Sequence, residues 1–258
     1  MSALRVRLVP CRSDNYAVLL HDEDSGETAV VDTPETEPIA AALEEEGWRL
    51  THILNTHHHG DHVAGNRALK ERHGATVYGS EYDAKKGRVP GLDVALKDGD
   101  GLRLGDHRFD VIAVPGHTLG HIAYYACDAK MLFAGDTLFS LGCGRLFEGD
   151  AEMMWHSLDL LRHLPDDTQL YCGHEYTLSN GEFALEVEPG NAALRERVEE
   201  VRELMRQRRP SIPVSIGREK ATNPFLRPQS AEIRDRLGLE GVENWRVFAA
   251  LRERKDAF

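Results

Sequence analysis

Along the first two-thirds of the chain, short apolar runs rich in Val, Ile, Leu and Tyr alternate with Gly, Asp and Pro. The runs predict strands over Val6–Val9, Tyr16–His21, Thr28–Val31, His52–Asn55, Thr76–Tyr78, Phe109–Val114, Ala123–Ala126, Met131–Ala134 and Gln169–Cys172. Several are too continuously apolar for simple alternation, which suits sheets buried on one or both faces. Helical patterns interrupt them. Glu37–Glu46 ends at Gly47 and Val63–His73 ends at Gly74, each glycine standing where a helix end turns left-handed. Ala151–Leu164 sets Met154, Leu158, Leu161 and Leu164 on one face, and Pro165 stops it. Strands and helices alternating in this way predict layered α/β packing rather than an all-β barrel.

The pattern changes near residue 175. Asn191–Arg209 carries Leu194, Val198, Val201, Leu204 and Met205 at helical spacing and is stopped by Pro210. A proline-containing connector follows, and Ser230–Leu237 and Asn244–Lys255 read as two more helices. The tail holds no strong strand signal beyond Val214–Ile216. The expected organisation is a main domain over residues 1–174 and a smaller α-helical domain over 175–258 that packs on it.

Composition narrows the field. Hydrophobic residues at 41% and charged residues at 29% exclude a disordered chain. With 31 Lys and Arg against 43 Asp and Glu, the net charge of −12 counts against nucleic acid and anionic lipid as partners. No stretch approaches 18 consecutive apolar residues, and the start lacks a secretory apolar region, so a cytoplasmic protein without a membrane span is expected. The four cysteines (Cys11, Cys127, Cys143, Cys172) are widely spaced with no CxxC pair and read as reduced thiols.

Thirteen histidines is a high count for this length, and their placement carries the chemistry. The segment Asn55–His62 reads His57-x-His59-x-Asp61-His62 after an apolar strand. Side chains two apart in an extended segment share a side, so His57 and His59 can bind one ion while Asp61 and His62 face a second. Three further candidates each follow an apolar strand and a glycine: His117, Asp136 and His174. Glycine lets the backbone turn sharply, and loops at a sheet edge are where sites gather on α/β scaffolds. Five histidines and two aspartates can serve two ions if one carboxylate bridges. Imidazole and carboxylate donors suit Zn, Fe or Mn. His21, His52, His73, His107, His156 and His163 read as ordinary surface or core residues. His121 is a candidate supporting donor, and His58 points away from its neighbours and is no direct ligand.

These residues resemble the metallo-β-lactamase superfamily, and within it the glyoxalase II (hydroxyacylglutathione hydrolase) family. The segments that carry the resemblance are THHHGDHVAGN (56–66), PGHTLGH (115–121), AGDTLFSLGCGRLFEG (134–149), YCGHEYTLSN (171–180), NPFLR (223–227) and LRERKDAF (251–258). The resemblance implies an αββα sandwich with a smaller α-helical C-terminal domain. It implies one ion, most commonly zinc, on His57, His59 and His117, a second on Asp61, His62 and His174, and Asp136 between them. It also implies a hydrolase in which His57, His59, Asp61 and Asp136 serve catalysis and hydroxide attacks the thioester carbonyl of S-D-lactoylglutathione, a step of methylglyoxal detoxification in a cytoplasmic monomer. The family's glutathione pocket maps onto Arg145, Phe147, Tyr176, Arg252 and Lys255. Some members carry Tyr where this chain has Phe147, so any hydrogen bond from that hydroxyl is absent here.

Glutathione is a net anion, so a chain at −12 needs Arg145, Arg252 and Lys255 to reverse the charge locally. Cys143 and Cys172 lack a partnered base and read as packing residues. The competing readings are a mononuclear iron glutathione-persulfide dioxygenase on the same scaffold, a β-lactamase, a nucleic-acid phosphodiesterase and a non-catalytic metal-binding protein.

Overall fold

The computed structural model describes residues 4–258. They fall into two units, one of the chain up to Ala113 with Gly120–Gly135, the other of Val114–Leu119 with Asp136–Phe258.

The first unit runs β1 (Arg5–Cys11), β2 (Asn15–His21), β3 (Thr28–Val31), α1 (Thr36–Glu46), β4 (His52–Leu54), α2 (Gly60–Val63), α3 (Asn66–His73), β5 (Thr76–Ser80), α4 (Glu81–Lys85), β6 (Val94–Leu96), β7 (Gly101–Leu104), β8 (His107–Ala113), β9 (Ile122–Ala126) and β10 (Met131–Gly135). Strands β1 to β6 form one mixed sheet in sequence order. The pairs β1–β2 and β2–β3 are antiparallel, and β3 to β6 are parallel. Leu19, Val30, Ile53 and Val77 pair across four of these strands, so they share a face. All four are fully buried and pack with Ile39 and Leu43 of α1 and Leu69 of α3. Truncating Leu19 or Ile53 to Ala is expected to cost about 2–5 kcal/mol. Strands β7 to β10 pair antiparallel in order. The Tyr124 hydroxyl of β9 donates to the Asn55 carbonyl beyond β4 at 2.9 Å. Because β3 and β4 are parallel, their C-terminal ends emerge side by side, at the edge where ligands gather on such sheets.

The second unit adds β11 (Leu138–Phe139), β12 (Gly142–Cys143), α5 (Ala151–Arg162), β13 (Gln169–Cys172), α6 (Thr177–Val187), α7 (Ala192–Arg206), β14 (Val214–Ser215), α8 (Ile216–Thr222), a 3₁₀ turn (Pro224–Leu226), α9 (Ala231–Leu237) and α10 (Asn244–Asp256). Side-chain caps start three of its helices: Asp150, Asn191 and Ser215 accept from the backbone N–H three residues on. Phe225 lies between Phe183 and Phe248, with both ring-centroid distances at 5.9 Å. This aromatic set ties α6, the 3₁₀ turn and α10 together.

The strongly periodic segments form where expected, with ends shifted by a few residues. The α/β character holds. The predicted helix over Val63–His73 is instead two helices, α2 and α3. The break has a cause: Thr33 N donates to His62 O and Gly65 N donates to Thr33 O, so the turn between the helices is tied to the exit of β3. A Cβ at Gly65 would sit 3.2 Å from Thr33, so Thr33 would have to give by a few tenths of an ångström to admit a side chain there. Helix α6 escaped the periodicity because TLSNGEFALEV holds Ser, Asn and Gly. Its Gly181 admits Val198 of α7, which would lie 2.8 Å from a Cβ there. Among the described residues, no helix is long and apolar enough to cross a membrane.

Candidate metal centre and the adjoining pocket

In the first unit the chain leaves β4 through Asn55 and Thr56 and turns into α2 with His59 at its N-cap position. His57 Nε2 lies 3.1 Å from His59 Nδ1. The His57 ring is 4.1 Å from that of His62 and stacks on His121 at 4.7 Å. Asp61 Oδ2 is 3.6 Å from His62 Nε2 and accepts from Asn15 Nδ2 at 3.1 Å. Beneath this group lies Asp32, buried at the end of β3 with a left-handed φ of 57°. Asp32 accepts from Thr56 N, Thr56 Oγ1 and His62 Nδ1, each at 2.8 Å. Since the Thr56 hydroxyl donates to Asp32, it accepts from His57 Nδ1 at 3.1 Å. Both rings are thus held through Nδ1, which leaves Nε2 as the donor to an ion.

His58 does turn away from its neighbours. Its Nδ1 is 3.3 Å from Asp83 Oδ1, and Arg88 Nη1 is 3.6 Å from the same oxygen. Asp83 is fully buried, and its other oxygen accepts from Ser80 Oγ at 3.1 Å. The middle of the histidine run is therefore anchored on the opposite side of the loop.

In the second unit, Gly116 precedes His117 with φ of 148°, and a Cβ there would meet Met154 at 2.7 Å. Only glycine lets the chain pass so close to α5. His117 Nδ1 contacts the Arg145 carbonyl at 2.8 Å, and its Nε2 lies 3.5 Å from Asp136 Oδ2. His174 Nε2 lies 3.4 Å from the same oxygen. Gly135, before Asp136, is left-handed at φ of 48°. Gly173 is not among the left-handed glycines, so the glycine-before-ligand rule holds at two of its three positions.

These donors fit divalent cations. His62 and His117 each give one ring nitrogen to a carboxylate or carbonyl and turn the other toward an acidic partner. That is the arrangement of metal-bound imidazoles, in which an outer partner fixes the tautomer and ring orientation. Asp32, Thr56 and Asn15 were not legible as supporting groups in the sequence. The available signal was Val30-Val31-Asp32, one more apolar strand ending in an acid.

A cavity of about 660 Å³ opens in the second unit beside His117 and Asp136. Arg145, Phe147, Tyr176, Arg252 and Lys255 all line it. Tyr176 stacks on His174 at 4.8 Å and 7°, and Phe147 sets its ring on His117 at 5.2 Å. Phe147 is 63% exposed, a large apolar surface left open toward the cavity. The three cations differ. The Arg145 side chain is 68% exposed. Arg252 is buried, with Nη1 donating to the Cys143 carbonyl and Nη2 to Asp256, both at 2.9 Å. Lys255 donates to the Ser179 carbonyl at 2.9 Å. Burial, with Arg252 and Arg145 nearby, holds its ammonium below the usual lysine range. Burial pushes the Cys143 thiol up to about 11 and the Cys172 thiol up to about 12, so both stay protonated at neutral pH and neither is a nucleophile.

Comparison with known proteins agrees with this geometry. A sequence model of the metallo-beta-lactamase superfamily matches residues 12–174, and one described as the hydroxyacylglutathione hydrolase C-terminus matches 175–258. The chain is 55% identical over 255 residues to the hydroxyacylglutathione hydrolase of Methylococcus capsulatus, covering 99% of both chains. It is 54% identical over 258 residues to that of Rhizobium meliloti, covering 100% of both. Among solved structures, ETHE1 from Myxococcus xanthus is similar with a TM-score of 0.66 and 28% identity over 99% of each chain. The fold is the α/β metallo-β-lactamase fold with its helical C-terminal extension, and the chain belongs to the hydroxyacylglutathione hydrolase family.

Proposed function

We propose that this protein hydrolyses the thioester of an S-(2-hydroxyacyl)glutathione, taking up one water and releasing glutathione and a 2-hydroxy acid. The observation that carries this reading is the end-to-end likeness to hydroxyacylglutathione hydrolases, at 55% identity over 99% of both chains. S-D-lactoylglutathione is the proposed substrate, which gives D-lactate and places the reaction in methylglyoxal detoxification. Two divalent ions, zinc in the first instance and Fe or Mn by the same donor chemistry, are assigned to His57, His59 and His117 and to Asp61, His62 and His174, with Asp136 shared. When bound, they supply an acidified water and positive charge for the oxyanion that develops at the carbonyl.

The chain's own residues do the rest. Asp32 and the Arg145 carbonyl keep His62 and His117 in one tautomer. Asn15 holds the Asp61 carboxylate at 3.1 Å, so Asp61 can accept a hydrogen bond from the attacking water in a fixed direction. Arg145 and Lys255 attract the carboxylates of glutathione. Arg252, whose donors are engaged, contributes its charge and holds the pocket wall. Phe147 and Tyr176 give the same cavity an apolar wall for the glutathione moiety. A monomer in the cytoplasm completes the proposal.

The test is thiol release from S-D-lactoylglutathione by purified protein, before and after chelation and with zinc restored. Chelator-sensitive release that zinc recovers supports the reading. Absence of release from the metal-loaded protein overturns it. Oxygen consumption with glutathione persulfide in place of release would assign the dioxygenase reading instead.

A further inference from the structure

The segment NPFLR (223–227) and the buried carboxyl of Glu219 take no part in the chemistry above, yet both converge on the β11–β12 hairpin. That hairpin turns through Ser140 and Leu141 and leads directly into Gly144 and Arg145. Its turn is costly on its own, because Leu141 is a branched-chain residue held left-handed at φ of 58°. Five polar groups in and beside the turn are taken by buried side chains. Glu219 accepts from Leu141 N at 2.8 Å and from Ser140 Oγ at 3.0 Å. The Asn223 amide reaches the carbonyls of Phe139 at 3.1 Å and Gly142 at 3.0 Å, and also Glu219 Oε2 at 3.0 Å. Asn180 donates to the Ser140 carbonyl at 3.2 Å. Glu219 and Asn223 are both 0% exposed.

Burying a carboxyl costs free energy unless donors surround it, and here they do. Arg197, itself 2% exposed, adds a buried cation that donates to the Ser211 carbonyl at 2.7 Å and reaches Ser140 Oγ at 3.4 Å. Five buried hydrogen bonds on four consecutive residues hold one turn geometry, and the cavity is what lies downstream of the turn. Cys143, Gly144 and Arg145 line it, and the Cys143 carbonyl is the acceptor that fixes Arg252. A Cβ at Gly144 would come within 2.0 Å of the Asp136 carbonyl, so this exit has no slack.

We propose that Glu219 and Asn223 are positioning residues for substrate binding, which lock the β11–β12 hairpin and thereby set Arg145 and Arg252 in the pocket. The proposal rests on the assignment of that pocket to glutathione.

The test compares Glu219→Gln, Asn223→Ala and the milder Ser140→Ala with the wild-type holoenzyme. KM for S-D-lactoylglutathione is expected to rise about tenfold in the first two and less in the third, with kcat changing much less, because buried hydrogen bonds that fix the turn are lost or weakened while no reacting group is touched. Bound metal per chain should stay at the wild-type level. A lowered melting temperature with wild-type KM in the folded enzyme would mean a purely structural role and overturns the proposal. So does a loss of kcat and metal with KM unchanged. If Glu219→Gln fails to fold, Asn223→Ala and Ser140→Ala carry the same comparison. Glutathione affinity by calorimetry separates this proposal from the hydrolase reading. Weakened binding in the variants sustains positioning even if the wild type releases no thiol, and unchanged binding sinks it.

Discussion

Lys255 shows how far the surroundings of one residue decide its function. Its ammonium is half-buried beside Arg252 and Arg145, and both burial and these cations favour the neutral amine. The charged form is the one that attracts a carboxylate. As pH rises through the lowered pKa, the charge disappears and affinity for the anionic substrate falls. KM should therefore climb at a pH below the ordinary lysine range of about 10.4. Lys255→Arg keeps its charge throughout and should flatten that limb of the KM profile. An unchanged limb in the Arg variant would assign the titration elsewhere. At this scale the sequence showed the metal-competent residues well, because four of them crowd into His57–His62. It did not show Asp32 or Thr56. Their role exists only once β3 and β4 lie parallel and bring residues 24 apart to 2.8 Å.

At the scale of elements, legibility followed amphipathic length. Helices α5 and α7 carry enough turns for the 3.6-residue period to stand out, whereas β11 and β12 have two residues each and no period at all. Those short strands exist because buried side chains satisfy the turn between them. The end of β10 is a second place where packing outweighs propensity. Gly135 is left-handed, and a Cβ there would lie 2.4 Å from Thr56 Oγ1 and 2.8 Å from His121 Nε2. Both neighbours are buried and have nowhere to retreat. Gly135→Ala should cost on the order of 2–4 kcal/mol, the sum of backbone strain and overpacking. Gly87→Ala is the control: it is left-handed at φ of 63° but meets nothing within 4 Å, so only about 1 kcal/mol of backbone strain applies. Urea unfolding of the two variants reads the difference directly. Equal losses would show that the contacts at Gly135 relax freely.

For the whole molecule, the opposition between a net charge of −12 and an anionic substrate makes a measurable claim. Repulsion from distributed surface charge acts over distances of a Debye length, about 8–10 Å at physiological salt, and added salt screens it. Attraction by Arg145 and Lys255 acts at the cavity, and salt weakens it as well, Arg145 being 68% exposed. The wild-type enzyme holds both fields. If the local cations dominate capture, raising ionic strength from about 10 to 150 mM lowers kcat/KM for the glutathione thioester. Removing them with Arg145→Ala and Lys255→Ala together leaves the repulsion alone. In that double variant kcat/KM should start lower and rise with salt, reversing the sign of the slope. The spatial grouping bears on this: all three pocket cations belong to the second unit, with His117 and Asp136, although 107 positions of sequence separate Arg145 from Arg252. Composition cannot show such a concentration, because it averages over the chain and the fold gathers the charges afterwards. Salt slopes of the same sign in wild type and double variant would mean that capture is not governed by these two cations.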